Sequence, residues 1–153
     1  MSFAEDEIAY LSSPGLHYLQ KTAYVATVSS DGQPDVVPVG YEFDGTYIYI
    51  AGLNQEKSRK YRNVLAGNTK VSFVYADNAD AEPWTPSWLR VYGMADLVEW
   101  EGSFGRRNYI RITPEISWSF NMAREVWPLS EGTKPFNRPG AIRRTVHSAP
   151  GAA

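Results

Sequence analysis

Three β-rich runs separated by two Asp-Gly turns constrain the fold of this chain more than any other feature. The runs cover residues 22–30, 34–43 and 46–52, and the turns between them are Asp31-Gly32 and Asp44-Gly45. Asp-Gly is favoured in two-residue hairpins because both of its residues tolerate positive φ. Three such strands in succession predict an antiparallel meander.

The rest of the chain adds three strands and a few short helices. The strands are predicted at residues 70–76, 87–100 and 109–120, the last interrupted at Pro114. Helices are predicted after the S-x-x-E pattern that starts at Ser2, at residues 56–66 behind an Asn54 cap, and at residues 102–108. About six mostly antiparallel strands with one inserted helix favour a small barrel, because closure removes exposed edges.

The 153 residues are enough for one hydrophobic core. We expect a single domain over residues 1–147 and a loose tail at residues 148–153, where no periodicity is sustained. No apolar run approaches the roughly 18 residues of a membrane span, and the first residues are acidic rather than basic. A cytoplasmic protein without membrane contact is therefore expected.

The chain is poor in reactive side chains and rich in aromatic ones. It has no cysteine, two histidines (His17 and His147), five Trp, ten Tyr and six Phe. Disulfides, thiolate nucleophiles and cysteine-based metal sites are thereby excluded, and no metal site is expected. Sequence motifs of nucleotide-binding loops and of serine hydrolases are also missing. This composition fits the binding of a flat ligand better than unaided protein chemistry.

The sharpest candidate site is the run Lys57-Ser58-Arg59-Lys60. Residues 57–70 carry five basic side chains and no acidic one, in a chain whose net charge is −2. The start of a helix exposes free amides and binds anions, and cations placed there oppose the helix dipole. The run therefore indicates a phosphate site, and a solvated basic helix face is the alternative. An acidic protein with one basic island is a poor candidate for nucleic-acid binding.

Two further segments allow a structural and a functional interpretation. The run Val37-Pro38-Val39 is either a buried strand or a backbone shelf for a planar ring, and Pro38 requires a sheet edge, a bulge or a ligand-facing backbone. Trp88 shares a strand face with Arg90 and Tyr92, and either packs in the core or faces a ligand. Trp118 is ambiguous in the same way.

Together these segments resemble the pyridoxamine-phosphate-oxidase-like split β-barrels, and most closely their deazaflavin (coenzyme F420)-dependent reductases. The resemblance covers residues 20 to 120 in order. Its matching stretches are Ala26-Thr27-Val28 through Pro34, Val36–Gly40, Lys57–Val64, Leu89–Ala95, and Ile110–Pro114 leading to Ser117-Trp118.

The resemblance implies a mainly β, six-stranded antiparallel split β-barrel with a few short helices that forms a homodimer. A flavin-like cofactor would lie in each of two grooves at the subunit interface. The basic run would hold its phosphate, the backbone of Val37-Pro38-Val39 would border its ring, and Trp88 would stand where FMN-binding relatives often have Gln. Trp118 belongs to the same cofactor-binding set.

Departures from the family pattern bear on the cofactor. FMN-binding relatives carry an R-x-x-L-L-K strand, whereas residues 34–43 contain no Arg or Lys, which favours coenzyme F420 over the alternative, FMN. Deazaflavin-binding relatives often have basic residues where Thr85 and Ser87 stand, and the expected S-W-G motif reads Ser117-Trp118-Ser119.

The resemblance implies hydride transfer from the reduced deazaflavin to a C=C or C=N bond of a bulky conjugated substrate, such as a biliverdin-like, quinone or polycyclic compound. A non-catalytic deazaflavin, FMN or haem carrier and an FMN-dependent oxidase are the alternatives. The catalytic residues are left open.

Overall fold

The computed structural model describes residues 2–12, 21–77, 85–127, 130 and 137–151. The elements in chain order are α1 (Glu5–Ser12), β1 (Lys21–Val28), β2 (Pro34–Val39), β3 (Tyr41–Phe43), β4 (Ile48–Ile50), a 3-10 turn (Gln55–Lys57), α2 (Arg59–Leu65), β5 (Lys70–Asp77), β6 (Ser87–Gly102), β7 (Gly105–Phe120) and β8 (Ile142–Val146). His17 and Trp84 lie outside the described residues, as do residues 152–153 of the predicted tail.

The strands form one antiparallel sheet in the order β2-β1-β5-β6-β7-β4-β3, and β8 pairs with β7. The two edges, β2 and β3, are consecutive in the chain and are separated by Gly40 alone. A sheet whose opposite edges are joined by one residue must curl, so the sheet forms a barrel-like shell. Pro38 lies on the edge strand β2, which confirms the requirement for an edge.

The prediction of six strands is wrong, because the described residues form eight. Gly40 divides the run predicted at residues 34–43 into β2 and β3, so that one run supplies both edges. The strand β8 was missed because only Thr145 of its five residues is buried, which leaves no alternating pattern. Pairing with residues 116–120 of β7 holds β8 in place.

The short helix predicted at residues 102–108 is also wrong. β6 and β7 form a hairpin that closes with Gly102 opposite Gly105, and Gly105 has a φ of 81°. The predicted interruption at Pro114 takes the form of a shift in the β6–β7 register next to Gly93. A Cβ at Gly93 would overlap the Thr113 carbonyl, so the backbones approach closely at this bulge.

The core fills the concave side of the sheet. Side chains from seven elements form one buried cluster, whose fully enclosed members are Ile48, Ile50, Phe73, Leu89, Val91, Ile110 and Ile112. Helix α1 covers one opening through Leu11, and Glu7 is buried there with its carboxylate accepting hydrogen bonds from the Ala4 amide (2.8 Å) and the Ser119 hydroxyl (2.5 Å). The barrel interior is therefore occupied by side chains, and ligand sites must lie outside it.

No helix among the described residues is long and apolar enough to cross a membrane.

Helix α2 begins at Ser58 rather than at the predicted cap, Asn54. The 3-10 turn intervenes, and the Asn54 side chain makes no capping bond. The Ser58 hydroxyl oxygen instead accepts a hydrogen bond from the Tyr61 amide at 3.3 Å and donates to the Gln55 carbonyl at 2.6 Å. Serine in the extended conformation is a preferred N-cap because its oxygen satisfies an amide that the helix leaves free.

Replacing Ser58 should therefore destabilise the fold, whereas replacing Asn54 should not. We expect Ser58→Ala to lower the free energy of unfolding by about 1 kcal/mol, the usual cost of a lost serine cap. The Asn54→Ala variant is the matched control and should stay within a few tenths of a kcal/mol of the parent. Urea unfolding followed by tryptophan fluorescence measures both, and an equal loss in the two variants would contradict the assigned cap.

The end of β8 is fixed by His147. Its amide donates to the Glu115 carbonyl at 2.8 Å, its Nε2 lies 2.8 Å from the Ser117 hydroxyl, and its ring packs 4.3 Å from that of Phe3. Burial lowers the pKa of His147 below its usual 6.5, although the nearby Glu7 carboxylate opposes part of that effect.

Stability should therefore fall as the pH drops from 7 towards 5. The unfolded chain protonates His147 at a higher pH than the folded chain does, so acid favours unfolding within this window. We expect the melting temperature to decrease over this range and the decrease to shrink in His147→Gln, which keeps a polar group near Ser117. Thermal denaturation at several pH values checks this, and an unaltered pH dependence in the variant would assign the effect to other groups.

Candidate functional site

The site residues predicted from the sequence fall into two groups. The first group combines Lys57, Ser58, Arg59 and Lys60, called the basic turn below, with Val37, Pro38 and Val39 of β2. The two segments are linked electrostatically. The Asp35 carboxylate on β2 acts to raise the pKa of Lys60, and the Arg59 guanidinium contributes to lowering the pKa of Asp31 in the β1–β2 turn. The basic turn and the edge strand thus lie on the same side of the barrel.

Within the basic turn, two cations are available to a ligand. Lys57 and Arg59 are exposed, and neither forms an ion pair within the described part of the chain. The amides of Arg59 and Lys60 open α2 and so lack intrahelical acceptors. Helix α2 has only seven residues, so its dipole is small and the side-chain charges dominate the attraction of an anion. The Ser58 hydroxyl is already engaged in capping.

Lys60 occupies a more enclosed position. Its pKa is lowered by burial, and the Asp35 carboxylate counteracts this only in part. A Cβ placed on Gly52 would lie 3.7 Å from Lys60 Nζ and 2.8 Å from Gln55 Oε1, so the bare backbone of Gly52 makes room for both groups. Gln55 donates to the Ile50 carbonyl at 2.8 Å, while its buried Oε1 has no hydrogen-bond donor among the described residues.

The Val37-Pro38-Val39 segment is part of an edge strand, not of a fully buried one. Val37 and Val39 pack partly against the core, whereas Pro38 points outward and is exposed. β2 pairs with β1 on one side only, which leaves half of its backbone polar groups without a strand partner, and Pro38 removes one donor from the segment. A planar ring against this backbone remains a prediction.

The second group, Trp88 and Trp118, lies on the convex outer face of the sheet. Leu89 and Val91 point into the core and are fully buried, so the alternation predicted along β6 is confirmed. Trp88 stacks on Phe120 with ring centroids 6.0 Å apart, and Phe120 in turn packs against Trp127. Trp88 is therefore outside the barrel core.

Trp118 is surrounded by cations. The guanidinium of Arg90 lies 4.4 Å from the Trp118 ring centroid and 5.3 Å from that of Tyr92, and Arg144 approaches Trp118 at 5.9 Å. The buried Nε of Arg90 has no hydrogen-bond partner among the described residues. Arg144 could not be found from the sequence because its strand, β8, gave no signal.

One chain does not bring the two groups together. Strand pairing places six outer-face residues in a single row across the sheet, in the order Pro38, Tyr24, Val74, Arg90, Trp118 and Arg144. Neighbouring strands are roughly 4.8 Å apart, so four steps separate Pro38 from Trp118 by roughly 19 Å along the sheet. A single ring cannot contact both residues of the same chain.

A cleft of about 410 Å³ lies where the sheet turns from β2 into β3. This corner cleft is formed by three segments, namely the Gly40 corner, the loop after β4 and the β6–β7 turn. Its lining residues are Gly40, Tyr41, Glu42, Tyr49, Ala51, Gly52, Leu53, Phe104 and Arg107. Gly52 belongs both to the cleft and to the surroundings of Lys60, so the basic turn adjoins it. Sequence patterns missed the cleft because its residues come from distant segments.

Comparisons with known proteins show relatives of this chain in sequence and in fold. The family model described as pyridoxamine 5'-phosphate oxidase matches residues 17–116. The chain is 35% identical over 127 residues to the 5a,11a-dehydrotetracycline/5a,11a-dehydrooxytetracycline reductase of Streptomyces rimosus subsp. rimosus, a match that covers 77% of this chain and 84% of that protein.

Solved structures support the fold. An F420 reductase superposes with a TM-score of 0.50 at 24% identity, covering 68% of this chain and 97% of that one. A FAD-binding protein of Mesorhizobium loti superposes with a TM-score of 0.52 at 18% identity, covering 78% of this chain and 94% of that one. Given the matched family model, the reductase relative and the curled sheet with a short helix on one side, this chain belongs to the pyridoxamine 5'-phosphate oxidase-like family of split β-barrels.

Proposed function

We propose that the protein is a coenzyme F420-dependent reductase that transfers a hydride to a C=C or C=N bond of a bulky conjugated substrate. The observation that carries the proposal is the contact between the cationic basic turn and the largely apolar corner cleft at Gly52. The reductase relative supports an oxidoreductase, and the F420 reductase has the same fold.

The residues of the basic turn fit a phosphate-bearing cofactor. Lys57 and Arg59 form no ion pair among the described residues, and two amides point from the start of α2. When bound, the reduced deazaflavin supplies the hydride. Lys57, Arg59 and Lys60 would hold its phosphate, the Val37-Pro38-Val39 backbone would border its ring, and the corner cleft would orient the acceptor beside it.

The tyrosines of the cleft are poorly suited to donate a proton. The Tyr41 hydroxyl donates to the Leu11 carbonyl at 2.7 Å, and that of Tyr49 donates to Asp44 at 2.9 Å. Burial raises the pKa of Tyr41 and brings that of Tyr49 to about 12. Both hydroxyls are directed away from the cleft by these bonds, so we expect solvent to supply the proton that follows the hydride.

The preference for deazaflavin over FMN rests on β2 and β3. The run over residues 34–43 contains no Arg or Lys, and the charged side chains of these two strands are Asp35 and Glu42. An additional phosphate contact from this strand, of the kind that the R-x-x-L-L-K pattern would provide, is therefore not available here.

We further propose that two copies of the chain pack through their outer sheet faces. Val36, Tyr92 and Val146 lie in one row of paired strands and expose 67%, 43% and 48% of their surface. Ile142 on the same face is 43% exposed, and several large apolar side chains exposed on one face are typical of an interface. Packing of this kind would let a ring on Pro38 of one chain contact Trp118 of the other, two residues that are four strands apart within one chain.

Cofactor titration tests the proposed function. We expect tryptophan quenching to show tight binding of F420 and weak binding of FMN, followed by oxidation of reduced F420 when an unsaturated acceptor is added. Lys57→Ala and Arg59→Ala should each weaken F420 binding about tenfold or more, because each removes a charged contact to phosphate. Lys70→Ala, which removes an exposed lysine of β5, is the matched control and should leave the affinity unchanged.

Three results would contradict this proposal. FMN binding without F420 binding would point to the FMN-dependent oxidase, and F420 binding without turnover of any acceptor would point to a carrier protein. Undiminished affinity in both Lys57→Ala and Arg59→Ala would remove the phosphate assignment.

The proposed dimer is tested by a charge placed on the outer face. Val36→Glu should convert a dimer into a monomer, because a carboxylate at this 67% exposed position would be buried in the interface and its strand neighbour Ala26 offers it no partner. Size-exclusion chromatography with light scattering reports the mass. Leu65→Glu, at a 67% exposed position on α2, is the control and should remain dimeric. A monomeric parent protein would refute the interface.

A further inference from the structure

The corner cleft contains two charged side chains, Glu42 and Arg107, and they differ in their hydrogen-bond partners. The Glu42 carboxylate accepts hydrogen bonds from the Ser103 amide (2.9 Å), the Ser103 hydroxyl (2.6 Å) and the Tyr109 hydroxyl (3.3 Å). These three donors fix the β6–β7 turn against β3. Glu42 thereby stabilises the fold, and its carboxylate accepts no hydrogen bond from Arg107.

Arg107, the second charged side chain of the cleft, lacks such partners. Its Nε is buried without a hydrogen-bond partner in the described part of the chain, and no ion pair is found for it there. The nearby Glu56 carboxylate, which interacts with Arg107 only through its field, accepts a hydrogen bond from Asn108 at 3.1 Å. An enclosed guanidinium nitrogen without an acceptor is costly, and a ligand oxygen would satisfy it.

The neighbouring arginines of β7 differ from Arg107 in this respect. Arg106 is exposed and paired with Glu99, and Arg111 is paired with Asp96 through two hydrogen bonds, the shorter of 2.6 Å. Glu99 and Asp96 on β6 thus each pair with one of these two arginines of β7. Arg107 points instead into the cleft.

The walls of the cleft suit a flat apolar group. Leu53, on the loop after β4, is 96% exposed, and Phe104, in the β6–β7 turn, is 59% exposed. The Tyr49 ring forms a firm wall because it stacks on Trp100 with centroids 3.8 Å apart and an interplanar angle of 9°. Two large apolar side chains beside a cation form a suitable binding site for an aromatic anion.

We propose that Arg107 determines substrate specificity by binding an anionic oxygen group, a carboxylate or an enolate, on a planar conjugated molecule held against Leu53 and Phe104. The guanidinium offers a planar pair of donors that matches such a group. The proposal rests on the proposed function and names the substrate class of that same site.

Two fluorescent probes that differ in charge test the proposal without any cofactor. The anionic probe is 8-anilinonaphthalene-1-sulfonate, and its uncharged counterpart of nearly the same shape is N-phenyl-1-naphthylamine. The parent protein should bind the anionic probe more tightly. Arg107→Met should weaken the anionic probe about tenfold or more and change the neutral probe less than about threefold, because a lost charged contact affects only the anion.

Matched variants separate this role from a structural one. Arg106→Met removes the adjacent exposed arginine and should leave both affinities unchanged, whereas Arg107→Lys should restore part of the anionic affinity. Phe104→Ser should weaken both probes together, which places them in the cleft. Near-ultraviolet circular dichroism confirms that the variants are folded.

The proposal is overturned if Arg107→Met leaves the affinity for the anionic probe unchanged, if both probes weaken equally in that variant, or if Arg106→Met has the same effect as Arg107→Met. Failure of F420 binding would refute the proposed function and leave the probe result standing, while the reverse outcome would refute the role of Arg107 alone. The two proposals therefore fail separately.

Discussion

The arrangement of this protein depends on one constraint, the joining of the two sheet edges through Gly40. Because β2 ends and β3 begins on either side of one residue, the sheet has to curl until its edges meet. The same corner leaves an opening on the outside of the barrel, bounded by the loop after β4 and by the β6–β7 turn. The corner cleft is thus a consequence of barrel closure rather than an addition to it.

The filled interior determines where chemistry can take place. Side chains of seven elements close the concave face, and Glu7 and Leu11 of α1 occupy one opening. Because these side chains fill the interior, this barrel has no room for a ligand within it. Any ligand must therefore bind on an outer surface, where the basic turn, the edge strand β2 and the convex face carrying Trp88 and Trp118 are found.

Much of the fold could be predicted from local patterns. The positions of the Asp-Gly turns, the alternation around Trp88 and the proline on an edge strand each reflect short-range rules, and the structure confirms them. The predicted meander is wrong, because its middle run is divided between the two opposite edges of the sheet. The errors have equally local causes. β8 lacks an alternating pattern of buried residues, and residues 102–108 contain the glycines of a hairpin rather than a helix. Ser58, not Asn54, caps α2.

The candidate site was predictable only in its parts. The sequence by itself determined that a cation-rich segment, a proline-containing strand and two tryptophans on strands exist, because charge, alternation and propensity are properties of neighbouring residues. Only the tertiary structure decided which of them meet. It placed Lys60 over Gly52 and isolated Arg107 in the corner cleft, and it separated Pro38 from Trp118, because distances between segments depend on how a whole sheet pairs and curls.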